Sequence, residues 1–151
     1  MKLRAESCRA PGLFVRSPQA KTIVMMRSFE DWARSTARVF APSPGKAVRK
    51  YMRTLKCHAY LAANSDCHLL KYEDLAHNSE EMAAVLGRFL GATIGCEAVR
   101  QALAANAQND TPLMTRCRPG WQARFDGIMR LWRSPRLVSA RARLGLSPLG
   151  N

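Results

Sequence analysis

Arg27 and Ser35 lie eight residues apart and combine a fixed positive charge with a hydroxyl group. Arginine presents a planar fork of N–H donors that matches the oxygens of phosphate or sulfate, and a nearby hydroxyl adds one more hydrogen bond. If both side chains reach the same point, they can hold one anionic group, most plausibly a phosphate. The pair is therefore a candidate binding site, provided that the surrounding elements bring it together.

The residues around Arg27 predict a strand that leads directly into a helix. Thr22–Met26 is an apolar run, which predicts a strand buried on both faces, as in a parallel sheet. Ser28 followed by Asp31 is close to the capping box that starts a helix. Arg27 is thus expected at the carboxyl end of the strand, where open α/β sheets bind ligands. Ser35 is expected about two turns into the helix.

The rest of the chain predicts one more strand and several helices. A chain of 151 residues suits a single domain with a core of its own. The order strand–helix–helix–strand–helix predicts an α/β fold with a short parallel sheet flanked by helices. Residues 106–119 are expected to form a loop, and residues 133–151 a basic tail. The other expected elements are helices at about 29–40, 46–63, 78–90, 96–105 and 121–132, and a strand at 67–72.

The helix expected at residues 46–63 has an apolar face and a basic face. Apolar residues recur at helical spacing, which predicts a packed stripe: Val48, Tyr51, Met52, Leu55, Ala59 and Ala62. The opposite face is expected to carry only cations: Lys46, Arg49, Lys50, Arg53 and Lys56.

Positive charge is concentrated at the two ends of the chain. The formal net charge is +13, and it divides into +10 over residues 1–60, −4 over residues 61–110 and +7 over residues 111–151. Of the 24 cations, 18 are arginine. Because the guanidinium group suits phosphate and sulfate, this distribution favours anionic partners. A compositional drift towards arginine, or an acidic partner protein, would give the same totals.

Cysteine usage and hydropathy indicate the compartment. Five cysteines form an odd number without a C-x-x-C pair, which argues against a disulfide framework. Residues 1–6 lack the apolar core of a signal peptide, and no run approaches the ~20 apolar residues that span a membrane. We therefore expect a cytoplasmic protein without a membrane span. The Cys-His pairs at 57–58 and 67–68 lack the usual spacing of zinc ligands and are expected to pack.

Three motifs, taken in order, resemble the later part of the 3′-phosphoadenosine 5′-phosphosulfate (PAPS)-dependent sulfotransferases. The first is a strand followed by Arg27, with Asp31 four residues on and Ser35 eight residues on. The second is Lys-Tyr-Glu-Asp-Leu at residues 71–75, followed by a helix that ends in Gly-Arg-Phe-Leu-Gly. The third is Arg-Pro-Gly-Trp at residues 118–121 with a phenylalanine four residues later. The resemblance covers residues 18–125 and implies a partial P-loop-type sulfotransferase fold.

The resemblance implies a site for PAPS or for its product, adenosine 3′,5′-bisphosphate. Arg27 and Ser35 would bind the 3′-phosphate, and Tyr72 would contact the adenine side of the nucleotide. Arg118, with the backbone of Gly120, would close over the same phosphate. In the complete enzyme the sulfuryl group would pass from PAPS to a hydroxyl or amine acceptor, whose identity the motifs do not reveal.

The chain also departs from the family pattern. The lysine-containing phosphate loop and the histidine base of the family have no counterpart, because nothing before Arg27 is glycine-rich and no histidine precedes His58. Arg116 is an alternative to Arg118, since this loop is shorter than is usual in the family. We therefore expect an incomplete sulfotransferase-like domain that keeps the 3′-phosphate site and is inactive or weak alone.

Two other functions stay open. The basic helix face and the basic tail could follow the backbone of a nucleic acid, although the acidic middle segment and the absence of a known nucleic-acid-binding motif make this partner unlikely. The second alternative is a nucleotide-binding scaffold without catalysis. A sheet of few strands would leave an open edge, which favours self-association or a partner chain.

Overall fold

The structure is a computed structural model that describes residues 21–105 and 117–146. This part of the chain is mostly helical with a short two-stranded parallel sheet, which is compatible with a small α/β fold. None of its helices is long and apolar enough to cross a membrane. In chain order the elements are β1 (Thr22–Met26), α1 (Phe29–Phe40), α2 (Pro44–Asn64), β2 (Cys67–Lys71), α3 (Tyr72–His77), α4 (Ser79–Leu90), α5 (Cys96–Ala104), α6 (Trp121–Trp132) and α7 (Pro135–Arg143).

Strands β1 and β2 pair in parallel along their whole length. The register runs from Thr22 opposite Cys67 to Met26 opposite Lys71. Both strands therefore end at the same edge of the sheet, and the residues that follow them enter α1 and α3 side by side. The prediction that Arg27 lies at the carboxyl end of a strand is confirmed.

One face of the sheet carries the larger core. Val24 and Met26 point to this face, where α1, α2 and α6 pack against them. The centre of the core is aromatic: the Phe29 ring stacks on Trp132 at 3.9 Å between ring centroids and meets Tyr51 edge-on at 4.9 Å. Such contacts add to the stability that the burial of these large side chains already provides.

The other face of the sheet is covered over β2 and open over β1. Leu70 of β2 packs there with Leu86 of α4 and Val99 of α5. Over β1, no helix within residues 21–105 and 117–146 covers Ile23 and Met25, which stay 38% and 52% exposed. The prediction that β1 is buried on both faces is therefore wrong, because α3, α4 and α5 pack only on its neighbour.

The helix boundaries largely follow the sequence pattern. Helix α1 begins after Ser28, whose hydroxyl oxygen accepts the Asp31 N–H at 3.1 Å, as the predicted cap requires. In α2 the burial of Val48, Tyr51 and Leu55 is confirmed, as is the exposure of the basic face. Towards the end of α2 the predicted apolar stripe is wrong. Ala59 and Ala62 are exposed, and the helix buries Cys57 and Leu61 instead. The reason is that β2 packs beside this end of the helix.

Two helices were not predicted from the sequence. Helix α3 occupies residues that were expected to be a strand end and a loop. Helix α7 lies within the segment that was expected to be a tail, and residues 147–151 of that segment lie outside the described part. The Arg141 guanidinium of α7 lies 3.7 Å from the centre of the Trp132 ring, and Leu146 is buried in the core. A cation over an aromatic ring contributes up to about 2 kcal/mol when desolvated, which helps to hold α7.

The end of α4 depends on a close backbone approach at Gly87. The helix closes with Gly91 in the left-handed conformation (φ 72°), and the Ala92 N–H donates to the Gly87 carbonyl oxygen at 3.0 Å. A Cβ atom at Gly87 would lie 2.7 Å from the Ala92 carbonyl oxygen, which is too close for undistorted packing. Glycine at position 87 therefore fixes how the chain turns from α4 towards α5.

We predict that Gly87→Ala lowers the free energy of unfolding by about 1–3 kcal/mol, because the backbone must shift to admit the methyl group. Gly45→Ala is the matched control, since nothing lies within 4 Å of a Cβ atom at that helical position. Because Gly45 lies in the first turn of α2, the unfolding free energy of that variant should stay within about 0.5 kcal/mol of the wild type. Urea unfolding measures the unfolding free energies of Gly87→Ala and Gly45→Ala. Equal values for the two variants would contradict the close approach at Gly87.

Candidate anion-binding cavity

A cavity of about 990 Å³ lies over the open face of β1, at the edge where both strands end. Ile23 and Met25 form part of its floor. Arg27, Ser35 and Tyr72 line it, so three of the five residues predicted to bind the nucleotide come together. Its volume lies at the upper end of the ~300–1,000 Å³ that is common for small-molecule sites.

Arg27 and Tyr72 approach each other at the ends of the two strands. The Arg27 guanidinium carbon lies 5.6 Å from the centre of the Tyr72 ring, within the range of a cation–π contact. Arg27 is exposed and has no ion-pair partner among residues 21–105 and 117–146, so its N–H donors are accessible from the cavity. Tyr72 is half-buried, and its ring lines the cavity beside Arg27.

Two hydrogen bonds fix the peptide group that joins Arg27 to Ser28. The Ser28 N–H donates to Glu73 Oε1 at 2.9 Å, which joins the start of α1 to the start of α3. The Tyr51 hydroxyl of α2 donates to the Arg27 carbonyl oxygen at 2.7 Å. A capping box would have paired the Ser28 N–H with the side chain of residue 31. Here the Asp31 carboxylate instead accepts the Ser28 hydroxyl at 2.9 Å, which leaves the N–H for Glu73.

One face of α1 forms the polar wall of the cavity. Asp31, Arg34, Ser35 and Arg38 all line it, at the i, i+3, i+4 and i+7 spacing of a single helix face. Arg34 is already paired, with Glu30 at 2.9 Å and Asp31 at 3.9 Å. With Arg27 included, the lining holds three arginines against one aspartate, a formal charge of +2.

Arg34, Arg38 and Trp121 are lining residues that the sequence analysis missed. The two arginines could have been found from helical spacing, because Arg38 lies three residues after Ser35 and Arg34 lies three residues after Asp31. Trp121 has no local signal of this kind. It comes into contact with the cavity because α6 packs against α1, which no pattern in the sequence indicates.

The segment before α6 lies next to the cavity rather than in its lining. Arg118 is exposed, and its N–H donates to the Arg38 carbonyl oxygen at 3.0 Å, which anchors the segment to α1. Gly120 precedes α6 with φ 68°, a left-handed conformation that favours glycine. Neither residue lines the cavity, whereas their neighbour Trp121 does. The alternative residue Arg116 lies outside the described part of the chain.

The wall opposite α1 is apolar. Leu75 of α3, Leu86 of α4 and Val99 of α5 contribute side chains to it. A cavity with arginines and a hydroxyl at one end, aromatic rings at its sides and aliphatic groups beyond suits a ligand with one anionic end and one flat apolar end. A phosphorylated nucleoside has both of these features.

Neither a histidine nor a cluster of metal ligands is found at the described lining of the cavity. None of the three histidines of the chain lines it. His58 sits in α2, where burial lowers the pKa of its imidazole. Within the described ranges, no group of three or more histidine, cysteine, aspartate or glutamate side chains is arranged to hold a metal ion.

Comparison with known proteins assigns no family to the chain. No protein-family model, curated protein or solved structure matches it. The function has to be argued from the cavity and its residues.

We predict that the unfolding free energy falls between pH 10 and pH 12 through Tyr51. Burial, together with the Glu73 carboxylate, raises the pKa of Tyr51 from 10.0 to about 12. In this range unfolded Tyr51 loses a proton that folded Tyr51 retains, so unfolding releases protons and stability falls as the pH rises. The two pKa units correspond to at most about 2–3 kcal/mol.

Urea unfolding at pH 9 to 11.5 measures this effect as a difference in slope. Tyr51→Phe should lose about 1 kcal/mol at neutral pH with its hydrogen bond, but its stability should depend less on pH above 10. Tyr60→Phe removes the hydroxyl of an exposed tyrosine and should keep the wild-type dependence. If the unfolding free energies of wild type and Tyr51→Phe fall in parallel as the pH rises, Tyr51 is not the group that causes the fall.

Proposed function

We propose that this chain binds the 3′-phosphate end of an adenine nucleotide, as the later part of a PAPS-dependent sulfotransferase does. In this proposal the short parallel sheet and its helices are a portion of a P-loop-type sulfotransferase fold. PAPS supplies the sulfuryl group in the complete enzyme, and the residues of this chain hold and orient the nucleotide.

The observation that carries the proposal is the placement of Arg27, Ser35 and Tyr72 on one cavity. Arg27 follows β1, Ser35 lies in α1 and Tyr72 begins α3. The parallel pairing of β1 with β2 brings the start of α3 beside the end of β1, at the carboxyl edge of the sheet. Ligands of α/β sheets bind outside this edge. The motif residues that resemble the family thus meet where a nucleotide would bind.

The charge of the cavity supports a doubly charged ligand group. Arg27 offers accessible N–H donors at the strand end, and Arg38 lines the same wall of α1 as Ser35. Each hydrogen bond between a guanidinium and a phosphate oxygen contributes about 1.5–3 kcal/mol. Asp31 opposes this attraction only partly, because its carboxylate accepts the Ser28 hydroxyl and faces Arg34 at 3.9 Å.

The aromatic and aliphatic walls suit the remainder of the nucleotide. Tyr72 and Trp121 offer flat rings on which a base can stack, and the aliphatic wall of α3–α5 excludes water from that end. No histidine lines the cavity, so its described lining does not supply the histidine base that the family uses. Binding is therefore assigned to this chain, and sulfuryl transfer to an enzyme that also has the phosphate loop and the base.

We predict that Arg27→Gln weakens binding of adenosine 3′,5′-bisphosphate roughly 10- to 100-fold, because a charge-assisted contact to phosphate is lost. Ser35→Ala should weaken it about fivefold, as expected for one neutral hydrogen bond. Isothermal titration calorimetry measures both effects. Adenosine 5′-monophosphate, which has no 3′-phosphate, should bind more weakly and be almost insensitive to Arg27→Gln.

Arg53→Gln is the matched control, because Arg53 is an equally exposed arginine on α2 that does not line the cavity. Its affinity for the bisphosphate should equal that of the wild type. Equal losses of affinity in Arg27→Gln and Arg53→Gln would show that the bisphosphate responds only to the net charge of the protein. Absence of wild-type binding at millimolar nucleotide would overturn the proposal.

A further inference from the structure

Helix α2 exposes a straight row of cations along its outer face. Lys46, Arg49, Arg53 and Lys56 follow alternating spacings of three and four residues, which keeps them on one line, and Lys50 lies beside them. All five side chains are exposed. We call these five residues the basic stripe. At 1.5 Å per residue, the stripe is about 15 Å long.

The charge of the basic stripe is not neutralised by any carboxylate in the part of the chain that the structure describes. Helix α2 contains no aspartate or glutamate. No carboxylate within residues 21–105 and 117–146 forms an ion pair with any member of the stripe. Like charges at positions i and i+4 of a helix repel each other by about 0.2–0.5 kcal/mol per pair. An uncompensated row of this kind is a surface for an external anion with repeated charges.

The basic stripe is separate from the nucleotide cavity. The opposite side of α2 packs on the face of the sheet to which Val24 and Met26 point. The cavity lies over the other face of β1, at Ile23 and Met25. No member of the stripe lines the cavity. A ligand on the stripe therefore meets different residues from those that would hold the nucleotide.

An exposed aromatic ring continues the row. Tyr60 lies four residues beyond Lys56, on the same line, and is 41% exposed. Such a ring offers a face on which an unpaired base can stack, and base–aromatic stacking is largely independent of sequence. An anionic membrane would instead require a row of exposed apolar side chains that insert into it. The stripe side of α2 has only cations and this one ring.

We infer that the basic stripe and Tyr60 bind single-stranded nucleic acid, with the cations on the phosphates and a base stacked on Tyr60. From the sequence alone this partner was judged unlikely, because the acidic middle segment divides the basic residues. The structure places five cations and the ring on one continuous helix face, so the acidic segment does not interrupt it. Five phosphate contacts would give a log affinity–log salt slope of about −3.5, or about a 100-fold loss between 50 and 200 mM salt.

Fluorescence anisotropy with a labelled 20-nucleotide oligo-dT tests the inference on the whole chain. The triple variant Arg49→Gln, Arg53→Gln, Lys56→Gln should bind at least about 50-fold more weakly at 50 mM salt, with a slope shallower by about 2. The matched control removes the same charge from exposed arginines outside the stripe: Arg130→Gln, Arg136→Gln and Arg143→Gln. It should retain the wild-type affinity within about threefold. Circular dichroism melts confirm that both variants fold.

Tyr60 separates nucleic acid from other polyanions. Tyr60→Ala should weaken oligo-dT binding about fivefold or more, while Tyr60→Phe keeps the wild-type affinity. Heparin should respond to neither substitution, because it has no base that stacks on Tyr60. Four results would overturn the inference: equal losses in the two triple variants, no wild-type binding at 50 mM salt, an unchanged affinity in Tyr60→Ala, or displacement of oligo-dT by adenosine 3′,5′-bisphosphate.

Discussion

The hydrogen bond from the Ser28 N–H to the Glu73 carboxylate holds together the ends of the two strands. Parallel pairing alone brings β1 and β2 side by side, but this bond also fixes how α1 and α3 leave the sheet. The Ser28 hydroxyl is thereby oriented to cap α1, and Tyr51 secures the preceding carbonyl from the other side. The cavity follows from this arrangement, because its polar wall is α1 and its corner residue Tyr72 is the first residue of α3.

The two faces of the sheet have different roles. On the face of Val24 and Met26, aromatic and aliphatic side chains pack densely, and the positive charge is displaced to the outer surface of α2. On the other face, helices cover only β2, and charge lies inside a concave site over β1. Concave positive sites suit compact anions, whereas a straight exposed row suits an extended one. The same excess of arginine and lysine therefore produces two distinct kinds of positively charged surface.

Local signals predicted most of the elements, and long-range contacts explain what was missed. Caps and periodicity placed α1 and α6 correctly, since both act within a few residues. The half-open burial of β1 depends on where α4 and α5 pack, and α7 depends on Arg141 meeting Trp132, so neither was visible locally. At the site, Arg27, Ser35 and Tyr72 line one cavity, while Glu73 had no signal for a partner 45 residues away. That the cavity binds a nucleotide stays a prediction.

The stacking of Phe29 on Trp132 has a consequence for synthesis on the ribosome. The two rings are separated by roughly a hundred residues, a distance typical of slowly formed contacts. Tyr51 of α2 covers part of Phe29, but Phe29, Ala33 and Ala37 lack the cover of α6 until that helix has left the ribosome. The nascent chain would thus expose an apolar surface after β1, α1 and α2 have been made. Chaperones that bind such surfaces would reach this surface before α6 does.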